Sequence, residues 1–267
     1  MTFETNSTDI HSPPDLQAVR SRLEGRFSGQ VRAGSELLFG RDDSASHWAT
    51  GVPAFDDLLG GGLLRGTLVE LVGRRSSGRW ALVLSALATA TAGGESAFLV
   101  EMGEQLDPQL AEAAGIDLAR LLWVSPRWLG DALASAEMGI AAGFPLVVLD
   151  LGLPPVRGRR VSPGAWLRLA RAAAAQDTVL LVATPYRSSG PAAEQVVTAH
   201  RARPLWQGQA QEPPLLTGLE STFELTRQRG SQPAVTSVQT VWTVSERLES
   251  VAEPAVAPER KAHHRLA

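Results

Sequence analysis

The chain has 267 residues, 44% apolar and 20% charged, which suits one large α/β domain with tails and an ordinary core. A net charge of −3 gives no global attraction to nucleic acid, so any DNA contact has to come from a local basic face. The absence of cysteine excludes disulfides, thiolate catalysis and cysteine-based zinc sites.

Residues 1–11 are polar and are expected to be a disordered terminus. Ser12-Pro13-Pro14-Asp15 reads as a helix start, with a capping serine and proline in the first turn. Leu16, Val19, Leu23 and Phe27 then share one stripe, so this helix, in an N-terminal region of 12–47, has to dock on something. Its own domain and a neighbouring protein are both open as the acceptor.

From Thr67 the pattern alternates strands and helices. Strands are expected at Leu68–Val72, Ala97–Glu101, Leu121–Val124, Leu146–Leu151 and Val179–Thr184. Helices are expected at Gly78–Ala92, from about Asp107-Pro108, and at Leu129–Ala142 and Pro163–Gln176. Continuous Val/Leu strands separated by helices predict a mostly parallel sheet covered on both faces. After Pro191 the pattern changes, and Leu219–Arg227 and Ser237–Val244 read as antiparallel edge strands that complete a core spanning 48–244. Residues 245–267 have the Ala/Pro/Glu/Arg composition of a flexible tail, in which His263-His264 is too isolated for a metal site. The first thirty residues lack an apolar signal core, and the most apolar run, Trp80 to Ala92, is too short for a bilayer, so a cytoplasmic protein is expected.

The chemistry concentrates at Gly73-Arg74-Arg75-Ser76-Ser77-Gly78-Arg79-Trp80. A phosphate-binding loop G-x-x-x-x-G-K-[ST] cradles phosphates with backbone N–H groups, neutralises them with lysine and holds Mg²⁺ with a hydroxyl. Here the glycine frame is kept, while Arg79 replaces the lysine and Trp80 the hydroxyl residue. Arginine is longer and planar and does not reproduce a compact ammonium between phosphates. The Trp80 indole provides no metal ligand, and its bulk is expected to fill the metal side of the loop.

Several collinear blocks resemble the RecA family. Thr50-Gly51-Val52-Pro53 through Gly60-Gly61-Gly62-Leu63 and Arg65-Gly66 precede the loop. Leu106-Asp107-Pro108, Ala114-Gly115-Ile116-Asp117-Leu118 and Leu121-Leu122 follow it, and Leu146-Val147-Val148-Leu149-Asp150 is similar to the Walker B strand. The resemblance runs from about Thr50 to about Arg187 and implies a RecA-like P-loop NTPase core. It also implies positions for two further ATP-handling residues, and both depart from the family pattern. The catalytic glutamate falls on Gly103, unless a one-residue shift brings in Glu104 or Glu101, and the ATP-sensing glutamine falls on Pro185.

A RecA-like core with degenerate ATP chemistry and short DNA loops is similar to the ImuA group of SOS-mutagenesis accessory proteins. That resemblance implies an adaptor rather than an enzyme, partnered by ImuB, RecA and an error-prone polymerase, with single-stranded DNA as a further candidate. No cofactor is expected; ATP or ADP in the degenerate loop (73–80, with Asp150) is the open alternative. Asp150 is expected to pair with a loop arginine such as Arg79, the metal-orienting role being lost with the hydroxyl. Arg157, Arg159, Arg160, Arg168 and Arg171 form an acid-free basic stretch that suits DNA phosphates, an acidic partner or plain solvent. The competing reading of the whole chain is an active ATP-dependent, DNA-binding recombinase paralogue.

Overall fold

The computed structural model describes residues 46–103, 106–152, 161–208, 214–230 and 237–243. The stripe Leu16, Val19, Leu23 and Phe27, the arginines Arg157, Arg159 and Arg160, Glu104 and the C-terminal tail lie outside the described residues.

The elements run in the order expected from the pattern, with additions at both ends. A short bridge joins β1 (His47–Trp48) to β2 (Leu63–Leu64) around α1 (Pro53–Leu58). Next come β3 (Leu68–Gly73), α2 (Arg79–Ala92), β4 (Ala97–Glu101), α3 (Pro108–Ala113), β5 (Leu121–Val124) and α4 (Leu129–Ala141). The chain continues through β6 (Leu146–Asp150), α5 (Pro163–Ala175), β7 (Val179–Thr184), β8 (Gln195–Ala199), β9 (Arg203–Gln207), β10 (Leu215–Gln228) and β11 (Ser237–Thr243).

The main sheet has the order β11-β10-β8-β3-β7-β6-β4-β5, with β9 paired to β10 beside this path. The six strands from β8 to β5 are parallel, and β10 is antiparallel to β8, β9 and β11. Every residue of β3, β4, β6 and β7 is buried, as uninterrupted Val/Leu runs require between two helical layers.

One apolar cluster joins Phe55 and Leu58 of α1 and Leu82, Val83, Ala86, Leu87 and Ala90 of α2 to one face of the sheet. The other joins Ala132, Ala136 and Ile140 of α4 and Trp166, Leu169 and Ala173 of α5 to the opposite face. The helix starts follow local chemistry. Asp107 accepts from the amides of Gln109 at 2.9 Å and Leu110 at 3.2 Å, and Ser162 accepts from Ala165 at 3.2 Å, each followed by proline in the first turn.

Besides the short β1–β2 bridge, two strands of the main sheet escaped the sequence reading. Gln195–Ala199 is a parallel strand beside β3, and Arg203–Gln207 is an antiparallel one beside β10. The first was obscured because it follows proline and glycine turns with no long helix in front of it, so the βαβ rhythm fails there. The second is short, mostly exposed and contains a proline, which gives no alternation to read. Both expected strands are antiparallel, but only the second runs along an edge among the described residues: β10 (Leu215–Gln228) is longer than its apolar signal and lies inside the sheet between β11 and β8, and β11 (Ser237–Thr243) ends the order.

A buried carboxylate fixes the segment after β7. Glu70, in the middle of β3, is 1% exposed. It accepts from the backbone amides of Ser188 at 2.6 Å and Ser189 at 3.0 Å and from both serine hydroxyls. Glu70→Ala strands four donors at once, and leaving buried donors unmade costs about 1–3 kcal/mol each before relaxation. We expect a loss of more than about 2 kcal/mol in urea unfolding. Amide exchange should accelerate selectively at Ser188 and Ser189; uniform protection across 185–190 would contradict this role.

Candidate nucleotide-loop site

The loop between β3 and α2 keeps the geometry of a phosphate cradle. Gly78 has φ +87° and Ser76 has φ +53°, so the chain turns through left-handed conformations before entering the helix. Glycine is required at 78 for a second reason, since a Cβ there would run into the Ser221 hydroxyl and the Trp242 indole. Ser77 is buried, and its hydroxyl accepts the Arg79 amide at 3.3 Å.

The side chain at the lysine position does not face outward. Arg79 Nη1 donates to the Gly73 carbonyl at 2.9 Å, and Nη2 lies 3.3 Å from Asp150 Oδ1. Both side chains are buried, at 5% and 0% exposure. The pairing expected between Asp150 and a loop arginine is therefore present, and it joins the start of α2 to the end of β6. Asp150 Oδ1 also accepts the Gly152 amide at 3.0 Å, while Oδ2 has no hydrogen-bond partner among the described residues.

Burial raises the Asp150 carboxyl from its ordinary range; the Arg79 charge and the Gly152 amide pull the other way, and Glu101 adds to the rise. Burial likewise lowers the Arg79 guanidinium, with Asp150 opposing. In both groups desolvation outweighs the partner, which is the expected balance for an ion pair taken out of water.

The remaining template positions fall as follows. Trp80 is half-buried against the apolar cluster beneath α2 and takes no part in lining the neighbouring cleft. Its indole contributes to core packing, and what the loop lacks at 80 is a hydroxyl. Gly103 is exposed and supplies no carboxylate. Glu101 is fully buried, and its carboxylate accepts the amides of Gly103 at 3.0 Å and Leu106 at 3.5 Å, so it braces its own turn. Pro185 follows the last residue of β7.

Beside the loop lies a cleft of about 600 Å³ lined by Val72 to Ser76, Pro185 and Thr198 to Arg201. Arg74 and Arg75 are exposed on one side of it, and His200 and Arg201 on the other. His200 and Arg201 were missed by the sequence reading because they follow the unrecognised strand β8. Arg168 and Arg171 are exposed on α5, and Arg168 is paired at 3.0 Å with Glu137 of α4. Among the described residues there is no group of three or more His, Asp or Glu able to hold a metal ion, and no helix long and apolar enough to cross a membrane.

Removing one member of the buried pair leaves the other charge unpaired, so Arg79→Ala is expected to cost about 3–5 kcal/mol in urea unfolding. The apolar double replacement Arg79→Met with Asp150→Leu is expected to recover most of that loss, since well-packed apolar residues commonly match a buried ion pair. Equal stability of the single and double variants would contradict the pairing.

Comparison with known proteins agrees with this geometry. The model of the RecA N-terminal domain matches residues 29–152. The RecA protein of Leifsonia xyli subsp. xyli is 35% identical over 143 residues, 52% of this chain and 40% of that one. The RecA protein of Clavibacter michiganensis subsp. michiganensis is 38% identical over 139 residues, 51% of this chain and 37% of that one. The chain thus spans about 40% of the length of these relatives. The crystal structure of the RadB recombinase superposes with a TM-score of 0.54 at 18% identity, covering 75% of this chain and 97% of that one, a likeness of fold. The chain is thus similar in sequence to the RecA N-terminal domain over residues 29–152, and its α/β core shares the fold of the RadB structure.

Proposed function

We propose that this protein is a non-catalytic, RecA-like adaptor in SOS-induced DNA damage tolerance, acting in translesion synthesis with ImuB and an error-prone polymerase and binding RecA so as to restrain it. The observation that carries the reading is the inward course of Arg79. Phosphoryl transfer rests on charge placed at the phosphates and on a metal ion held beside them. Here the one cation at the lysine position is spent on the Gly73 carbonyl and on Asp150, the acid that would orient a metal. Trp80 brings no hydroxyl, and Gly103 and Pro185 stand at the two further positions where the RecA family pattern has chemistry. These losses agree with one another, which supports retention of the scaffold for binding.

An adaptor needs a surface, and the sheet offers one at β5. Among the described residues this strand pairs with β4 alone, and Leu122 and Trp123 are 49% and 38% exposed. An edge with unpaired main-chain groups and apolar side chains suits addition of a partner strand. Trp128, 71% exposed just before α4, extends the apolar character of this end.

Two measurements test the reading. DNA-stimulated ATP hydrolysis is expected to be absent from the protein and from its Arg79→Lys, Trp80→Thr variant, because restoring two groups leaves the other positions empty. Turnover in the unaltered protein that disappears in Arg79→Ala would overturn the proposal in favour of an active recombinase. In pull-downs, RecA and ImuB are expected to be retained by the protein and lost, for at least one of them, with Leu122→Glu and Trp123→Glu together. Retention of neither partner by the unaltered protein would also overturn it.

A further inference from the structure

With Arg79 turned inward, the cleft beside the loop is left with an apolar floor between two basic rims. Val72, Gly73 and Ala199 are buried along the floor, and Pro185 is half-buried at its side. Two polar groups of the lining are already engaged. The Thr198 hydroxyl lies 3.4 Å from that of Thr226, and His200 Nε2 lies 2.8 Å from the Glu224 carboxylate. Arg74 and Arg75 stand exposed on one rim and Arg201 on the other, and among the described residues no acid pairs with any of them. The rims are fixed relative to each other. Gly73 of β3 lies opposite Ala199 of β8 in the parallel register, and the Ala202 amide donates to the Ser76 carbonyl at 2.9 Å.

We infer that this cleft is a docking site for an acidic peptide segment of a partner protein, with carboxylates on Arg74, Arg75 and Arg201 and one apolar side chain between the rims. Guanidinium forks match carboxylates in paired hydrogen bonds, and they need no metal ion to do so. An extended peptide sends successive side chains to opposite sides, so acidic residues reach the rims while an apolar one enters the floor. Covering the floor with that side chain removes apolar surface from water, which adds to the attraction of the charges. A nucleic-acid strand shares the charge, but the lining holds no Phe, Tyr or Trp for a base to stack on. Tyr186 is exposed after Pro185 but does not line the cleft. A nucleoside triphosphate calls for the inner cation and a metal-orienting acid, which Arg79 and Asp150 spend on each other. The combination of apolar floor and cationic rims therefore favours a peptide that carries both kinds of group. This site lies apart from the β5 edge, goes beyond the adaptor role and does not depend on it.

The test is fluorescence anisotropy of the full chain with a labelled polyglutamate peptide that carries one central leucine. Binding is expected to weaken by about tenfold in Arg74→Ala with Arg75→Ala, and by about tenfold in Arg201→Ala, each through loss of charge-assisted contacts. Exchanging the peptide's leucine for alanine is expected to weaken it by about fivefold, since less apolar surface then covers the floor. Arg127→Ala removes an equal charge from an exposed site between β5 and α4 and is expected to leave the affinity unchanged. The three cleft arginines are exposed, and thermal melting identical to that of the unaltered protein confirms that the variants fold. Retained peptide affinity in the Leu122→Glu, Trp123→Glu variant keeps this result separate from the pull-downs. No binding, an equal loss in Arg127→Ala, or indifference to the central leucine overturns the proposal. So does displacement at lower concentration by an oligothymidylate, which identifies a nucleic-acid surface, or by magnesium ATP, which identifies a nucleotide pocket. A peptide of residues 244–254 of this chain that displaces the probe at lower concentration overturns it as well, identifying the chain itself as the source of the occupant.

Discussion

The contact on which the rest of the site depends is the buried pair of Arg79 and Asp150. It links residues 71 positions apart, at the first turn of α2 and the end of β6, beneath the loop that joins β3 to α2. A lysine ammonium in this position is a mobile point charge, free to meet a phosphate. The arginine fork reaches two acceptors at once, the Gly73 carbonyl and the Asp150 carboxylate, and is held there by both. The side chain at position 79 and the Asp150 carboxylate thus engage each other beneath the loop. Burial opposes both charges, so the pair is kept as a unit rather than as a source of stability.

With the inner charge neutralised, the outer surface carries the electrostatics of this end of the sheet. The parallel strands bring their C-terminal ends together, and the connections leaving β3, β7 and β8 meet around one cleft. This is the place where open α/β sheets accept ligands, because loops there are free to vary over a rigid base. Glu70 contributes to that rigidity by binding the segment after β7 to the middle of β3. At the other end of the sheet order, β5 pairs on one side only among the described residues, with Leu122 and Trp123 exposed. The exposed arginines beside the loop and the exposed apolar side chains of β5 are thus placed on different parts of one fold.

Much of this was legible in the sequence where the signal is local. Val/Leu runs placed β4, β5 and β7 to the residue, and Asp107-Pro108 and Ser162-Pro163 marked helix starts through capping chemistry within one turn. The strand β8 was illegible because no long helix announces it and its apolar run is only a few residues long. The pairing of Asp150 with a loop arginine could be anticipated, since a buried acid at a strand end beside a basic loop has few other partners. The packing of Trp80 could not, because the same indole fits either the loop or the core until the neighbouring strands are placed.

By itself the sequence determined the α/β alternation, the glycine frame of the loop and the loss of its lysine and hydroxyl, since each of these resides in a few consecutive residues. Only the tertiary structure decided where Arg79 points, which residues face Arg74 and Arg75 across the cleft, and which strand is left with an open edge. Those outcomes depend on the order of strands in the sheet, which brings β8 beside β3 and leaves β5 last. Strand order is set by how all the apolar faces are buried together, and no short stretch of sequence encodes it.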